Sequence, residues 1–350
     1  MATPSVDEFL GKLVGDLGAA MSAALVGIGD KLGLYKALAG SGGLTPAALA
    51  QKTHTDERYV REWLSAQAAA GYVDYDPGSG MFSLNEVQVL AFADESSPAH
   101  FLGGFQVTRS VYKDLDKIVE AFKTGKGVGW HEHDADLFCG TERFFRTGYN
   151  ANLVPAWIPA LEGVDPKLRK GAKVADVGCG HGASTIVMAR AYPSSTFTGF
   201  DYHEPSVVAA RAAAAKAGLG DRVRFETAAA KTFPGTGYDL VCIFDALHDM
   251  GDPVGASRHV RESLAPDGTW LLVEPFAHDT LEKNLNPFGR IFYGASTMIC
   301  TPASRSQEVG LALGAQAGPK RLEAVCREAG FTRFRKATET PFNLIFEAKP

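Results

Sequence analysis

The sequence predicts an α/β protein: a doubly wound, mostly parallel sheet in the C-terminal half, preceded by a small α-rich winged-helix domain. Three observations carry this. From Lys173 onward, short apolar runs alternate with helical segments, as parallel βαβ units require. In the first hundred residues, helical segments give way to two short strand-like runs around the turn DPGSG. Straight after the first apolar run of the C-terminal half comes DVGCGHG, Asp176 to Gly182, where three glycines spaced by two call for close approach of the backbone to a ligand.

Taken in order, apolar residues recur at helical spacing from Met21 to Leu38. LTPAALAQKT opens a second helix with Thr45 as N-cap and Pro46 at its first position. Thr55 can cap a third, with Asp56 and Glu57 in its first turn, running through YVREWLSAQAAA to Gly71. The runs YVDY and MFSL complete the wing. Residues 1–91 therefore read as a winged-helix domain and 92–165 as a helical connector. Residues 166–350 form the ligand-binding domain: KVADVG, TFTGFD, VRFETA, DLVCIFD and TWLLVE are its strands, and FTRFRKATE with FNLIFEAK is a closing antiparallel hairpin. The alternation stops across 275–318, a stretch with too many large apolar residues (Phe288, Ile291, Phe292, Tyr293, Met298) to be disordered, and it reads as a lid or pocket wall.

Length and charge bound the function. At 350 residues and 45% hydrophobic content, the chain has room for two cores. Residues 1–100 hold 6 Lys and Arg against 12 Asp and Glu, a net of −6, and the remaining 250 carry a net of +1. A winged helix that acidic lacks the cations for phosphate contacts, so nucleic acid is not expected as a partner. Burial of Leu25, Ile28, Leu32 and Leu34 against a second subunit, giving a homodimer, suits the domain better. Five scattered cysteines without a CxxC pair argue against a disulfide framework. The acidic N-terminus is unlike a signal peptide, and the uncharged run Leu17 to Gly29 is too short to span a bilayer. The expected location is the cytoplasm.

The glycine loop admits two readings. Gly178, Gly180 and Ala183 fit the dinucleotide fingerprint GxGxxG/A, with Asp201 placed to meet a ribose hydroxyl. The same residues fit DxGxGxG, which seats an amino-acid-bearing nucleoside, and the closing antiparallel hairpin is foreign to a dinucleotide-binding half.

VADVGCGHG, GFD, YDLVCIFDALHDM and the C-terminal AGF before a hairpin together resemble a class I S-adenosylmethionine-dependent methyltransferase over residues 165–350. With the winged helix in front, the whole chain is similar to small-molecule O-methyltransferases and to a mycobacterial group of unassigned substrate that shares FDALHDMGDP and STMICTP. This resemblance implies a Rossmann-like sheet and S-adenosylmethionine as cofactor, with S-adenosylhomocysteine as product. It implies that Asp176, Gly178, Cys179 and Gly180 form the cofactor loop, that Asp201 holds the ribose and Tyr202 flanks the adenine. Asp245 would face the methionyl end of the cofactor, with Ala246 beside it and Met250 standing where relatives carry Trp next to the cofactor. Many relatives carry an acid after the third strand for the adenine amine; this chain has AAAK there, so that contact must come from backbone, with Ala229 the nearby candidate, or from elsewhere.

The resemblance also makes His248 the general base for a small-molecule acceptor, with Glu274 beside it and Asp249 completing the HD pair. A phenol titrates near pH ~10 and needs a positioned base at neutral pH, and histidine suits that task. Two other readings stay open: a cofactor-binding transcriptional regulator acting through the winged helix, and an NAD-dependent oxidoreductase. No metal is expected. HEHD, His131 to Asp134, has ligand-type side chains, but its spacing does not make a cage and a polar loop over the pocket mouth fits it better. Phe144, Phe145 and Tyr149 fit core packing better than substrate contact.

Overall fold

The structure, a computed structural model, describes residues 3–350. It forms two compact units, one reaching to Tyr112 and including Ala135–Thr147, the other comprising Lys113–Asp134 and Gly148–Pro350. The residues read as a connector are thus divided between the two.

The first unit opens with α1 (Val6–Leu32), whose N-terminus carries a capping box between Ser5 and Glu8. This helix begins well ahead of the expected Met21 and does not run on to Leu38. Gly33, at φ 68°, breaks it, and α2 (Leu34–Leu38) follows. A left-handed residue ends a helix most cheaply as glycine. α3 (Pro46–Thr53) starts as expected, with the Thr45 side chain accepting from Ala48 N–H. The cap of α4 (Glu57–Ala69) is Asp56 rather than Thr55, because its carboxylate accepts from two backbone donors, Arg58 and Tyr59. β1 (Asp74–Asp76) and β2 (Met81–Ser83) pair antiparallel, with Leu44 bridged to Phe82, and α5 (Glu86–Phe92) closes the domain over Tyr35, Trp63 and Leu64. α6 (Leu102–Lys113) and most of α8 (Ala135–Gly148) join this unit through the partly buried pairs Arg109–Asp136 and Arg143–Asp30. Leu34, expected to face a second subunit, is buried in this core instead.

The N-terminal half of α1 is bare. Leu10, Val14, Leu17 and Met21 are each more than half exposed, and they follow the i, i+4, i+7, i+11 spacing of one helix face. The helix is continuous over 27 residues, so by length and composition alone it is long and apolar enough to cross a membrane, whatever the shorter uncharged run within it suggested.

The second unit holds α7 (Leu115–Thr124), α9 (Val164–Lys170) and a seven-stranded sheet. Its strands are β3 (Lys173–Val177), β4 (Thr196–Asp201), β5 (Val223–Thr227), β6 (Tyr238–Phe244), β7 (Leu264–Pro275), β8 (Arg333–Glu339) and β9 (Asn343–Lys349), in the order β5-β4-β3-β6-β7-β9-β8. The first five pair in parallel, and β9 runs antiparallel between β7 and β8. α10 (Ala183–Ala191), α11 (Glu204–Lys216) and α12 (Pro253–Ser263) cross between the parallel strands, and α16 (Gly318–Glu328) precedes the hairpin. Strand order reverses between β3 and β6, and open sheets of this kind bind ligands where that happens, beyond the carboxyl ends of the strands.

Residues 275–318, expected to be a lid or pocket wall, are ordered and largely helical rather than a loose loop. They contain α13 (Leu281–Asn284), α14 (Pro287–Ala295), a π-helical stretch Ser296–Cys300 and α15 (Thr301–Arg305). Ser304 Oγ donates to the Met250 carbonyl, and Gln307 donates to that of Asp249 while accepting from Gly251 N–H. The wall is thereby fastened to the turn after β6.

Candidate active site

The glycine loop follows β3. Gly178, Gly180 and Gly182 all have positive φ. A Cβ at Gly182 would lie 2.6 Å from the Phe225 ring, so this glycine lets α10 sit close to β5. Nothing lies within 4 Å of the position a Cβ would take at Gly180, and there the backbone faces open space. The loop is stitched to the end of β4: Gly178 and Cys179 N–H donate to the Phe200 carbonyl, and Gly180 N–H donates to Asp201 Oδ2 at 2.9 Å. Asp201 Oδ1 accepts from His203 N–H at 2.9 Å. A carboxylate offers about four acceptor positions, so two remain for a ligand's hydroxyls. Burial raises the Asp201 pKa against the pull of these two donors.

Asp176 lies beneath the loop and is fully enclosed. Its Oδ2 accepts from Ser184 Oγ and Thr185 Oγ1, both at 2.6 Å, which pins the start of α10 to the end of β3. Burial pushes its pKa up to about 6 in spite of those donors.

β6 ends at Phe244, and Asp245 then takes a φ of 50°. For a non-glycine residue this costs about 1–2 kcal/mol, strain of the kind that collects at functional sites. Two contacts hold it: Asp245 N–H donates to the Val273 carbonyl, and Asn343 Nδ2, from β9, donates to Asp245 Oδ1 at 2.8 Å. The turn Leu247–Asp249 follows. Glu274, near the end of β7, accepts Leu247 N–H on Oε1 at 3.1 Å and faces His248 Nδ1 with Oε2 at 2.6 Å. Both residues are buried. A carboxylate that only accepts makes Nδ1 the protonated nitrogen, which leaves Nε2 with the lone pair in the neutral ring. Burial disfavours a charged His248, but Glu274 and Asp249 outweigh it, and the pKa lies well above the ordinary 6.5. Burial, with Glu274 adding to it, likewise drives Asp245 well above the carboxylate range.

The family described as "Methyltransferase domain" matches residues 168–310, and the "Rv2258c-like winged HTH domain" matches 20–92. The 27-O-demethylrifamycin SV methyltransferase of Amycolatopsis mediterranei is 32% identical over 178 residues, 49% of this chain and 57% of its own. The O-demethylpuromycin-O-methyltransferase of Streptomyces alboniger is 26% identical over 83% of this chain and 81% of its own. Human N-acetylserotonin methyltransferase, solved with S-adenosylmethionine, superposes with a TM-score of 0.72 at 17% identity, covering 100% of this chain and 99% of that one. A mitomycin 7-O-methyltransferase superposes at 0.70 with 19% identity, covering 98% and 99%. At those identities the structural likeness is one of fold. Residues 168–310 thus carry a methyltransferase domain and 20–92 an Rv2258c-like winged helix, on the fold of the class I S-adenosylmethionine-dependent methyltransferases.

In this fold the two halves of the expected site meet: a Cβ at Gly178 would touch that of Ala246 at 3.0 Å. Met250 sits on the core beside the same turn. Tyr202, 46% exposed, stands at the edge, with the His131 ring against it at 6.3 Å between centroids. Ala229 is an exposed residue just past β5. Tyr149 is buried against Phe244 and Trp157.

Of the HEHD residues, His133 Nδ1 pairs with Asp114 Oδ2 at 2.9 Å, Glu132 accepts from Gly129 N–H, and Asp134 pairs with Lys113. Three neighbours escaped sequence reasoning: Asn343, which holds Asp245, Cys300, which reaches His248 from the wall, and Asp114. Each lies far along the chain from its partner, and nothing local marks it.

Proposed function

We propose that the protein moves the methyl group of S-adenosylmethionine to an oxygen of a small-molecule acceptor, with His248 as general base. The observation that carries this is the buried Glu274–His248 pair, set beyond the end of β6 with Ala246 touching the glycine loop. The residues present fit the cofactor: Gly180 faces open space, Asp201 keeps acceptor positions free, and Asp245 Oδ2 is buried without a hydrogen-bonding partner.

Gly178, Cys179 and Gly180 would hold its methionyl part, Asp201 the ribose and Tyr202 the adenine, with Asp245, Ala246 and Met250 lining the methyl side and Ala229 near the adenine. When bound, S-adenosylmethionine supplies an electrophilic methyl on sulfonium, and its carbon–sulfur bond breaks as the new carbon–oxygen bond forms. His248 Nε2 takes the acceptor's proton, and Glu274 stabilises the imidazolium that results. Holding acceptor and methyl in line is the remaining contribution of the walls.

The regulator reading finds less support. On α4, Arg58 pairs with Glu62 and Arg61 with Glu57, so both arginines are already matched within their own helix. The exposed stripe Leu10–Val14–Leu17–Met21 supports a homodimer through α1. The five unpaired cysteines agree with a reducing, cytoplasmic setting. The deciding experiment is a titration calorimetry series with S-adenosylmethionine and S-adenosylhomocysteine, followed by an acceptor screen with wild type and His248→Ala. Binding to neither nucleoside would defeat the proposal.

A further inference from the structure

The turn that carries His248 also gathers side chains of the kinds that hold zinc. One ligand atom each from His248, Asp249 and Cys300 lies within 4.8 Å of the other two, and His248 Nε2 is 3.3 Å from Asp249 Oδ1. Proton transfer needs His248 and its orienting carboxylate Glu274, and it has no direct use for the Cys300 thiol. Asp249 Oδ1 is buried, and what faces it is His248 Nε2 and the Cys300 thiol. Cys300 is buried at the end of a π-helical stretch, a geometry that is rare and collects at functional sites.

Glu274 occupies His248 Nδ1 and so directs the Nε2 lone pair inward, the carboxylate–histidine–metal arrangement. Zinc bonds of about 2.0–2.3 Å place tetrahedral donors roughly 3.5 Å apart, within reach of small side-chain rotations here. Thiolate with imidazole and one carboxylate favours zinc over magnesium.

We propose that His248, Asp249 and Cys300 form a binding site for one zinc ion, with a fourth position open to water. Binding takes the thiolate, so Cys300 releases its proton to solvent, as does His248 Nε2 if it carries one. A metal on Nε2 uses the lone pair that would accept the acceptor's proton, which makes zinc a reversible inhibitor. That consequence, unlike the site itself, rests on the methyltransferase reading.

The test is titration of the chelator-treated full chain with Co2+, followed by absorption. One equivalent should bring up a sulfur-to-cobalt charge-transfer band with the visible bands of four-coordinate cobalt, and Zn2+ should displace it. Cys300→Ser should abolish the charge-transfer band and weaken binding at least tenfold, and Glu274→Gln should weaken it by about 10–100-fold with the band retained. Circular dichroism of each variant separates lost ligation from lost fold, and Asp249→Asn, expected to weaken cobalt binding at least tenfold, serves in place of a misfolded Cys300→Ser. No charge-transfer band in wild type, or an unchanged band in Cys300→Ser, overturns the site. A cobalt spectrum from a protein that methylates nothing would instead count against the proposed function alone.

Discussion

His248 Nδ1 and Glu274 Oε2 lie 2.6 Å apart with both side chains closed off from solvent. The carboxylate selects the tautomer, and with Asp249 it raises the imidazole's pKa well above 6.5 despite burial. A base works only when neutral, so kcat/KM should climb with pH along a limb lying above 6.5. Glu274→Gln removes one negative charge, which moves that limb to lower pH and lowers the plateau. His248→Ala should cut turnover about 10²–10⁴-fold with cofactor affinity nearly unchanged. A pH–rate profile that Glu274→Gln does not move would remove His248 from the role.

The glycines of the loop should separate by function. Gly182→Ala must tolerate φ 78° and a methyl 2.6 Å from the Phe225 ring, so the thermal midpoint of the methyltransferase unit should fall, with a loss of about 2–4 kcal/mol. Gly180→Ala meets no protein atom and should cost only about 1–2 kcal/mol from its φ of 51°, yet its methyl projects into the space assigned to the cofactor. Calorimetric binding combined with melting curves checks the pair, and equal behaviour of the two variants would contradict this division.

Much of this was legible in the sequence because it is local. Alternating apolar runs gave the strands, and the close spacing of Gly178, Gly180 and Gly182 marked a loop that must take left-handed dihedrals. His248 could be picked out because it stands three residues past Asp245, at a strand end. The contacts that finish the site are not local: Asn343 reaches Asp245 from β9, and Cys300 reaches His248 from a helical wall that reads only as irregular sequence. The start of α1 was missed because its glycines and scattered charges blur the helical period that the exposed stripe nonetheless keeps.

Asn343 gives a way to test that long-range support. Its amide is the hydrogen bond holding Asp245 Oδ1, at a residue whose backbone is already strained. Asn343→Leu leaves that buried oxygen without a donor, which costs about 1–3 kcal/mol. The cofactor dissociation constant should rise roughly tenfold or more in step with that loss. An Asn343→Leu chain with unaltered stability and binding would show that Asp245 is held by other means.

Asp201 should be the sharpest single determinant of cofactor binding. Its carboxylate both anchors Gly180 N–H and keeps acceptor positions for vicinal hydroxyls, and Asp201→Ala removes the two roles together. Two lost hydrogen bonds to a charged group, at about 1.5–3 kcal/mol each, predict at least a hundredfold weaker binding of S-adenosylhomocysteine. Calorimetry that finds only a severalfold change would move the ribose contact to another residue.

The exposed face of α1 carries the last prediction. Leu10, Val14, Leu17 and Met21 alternate at spacings of four and three, the pattern of a helix seam, and all stand open in the single chain. Burying about four large apolar side chains per subunit is worth several kcal/mol at about 1.5–3 kcal/mol each, enough to hold a dimer once the cost of association is met. A charge in the middle of the seam should undo it: Leu17→Glu is expected to convert a dimer into monomer in sedimentation velocity, with each winged-helix core still folded. Ala19→Glu, exposed on the opposite side of the helix, should leave the dimer in place. A wild-type protein that sediments as a monomer, or a Leu17→Glu dimer of undiminished stability, would detach this face from self-association and leave the membrane-length helix to be explained by another surface.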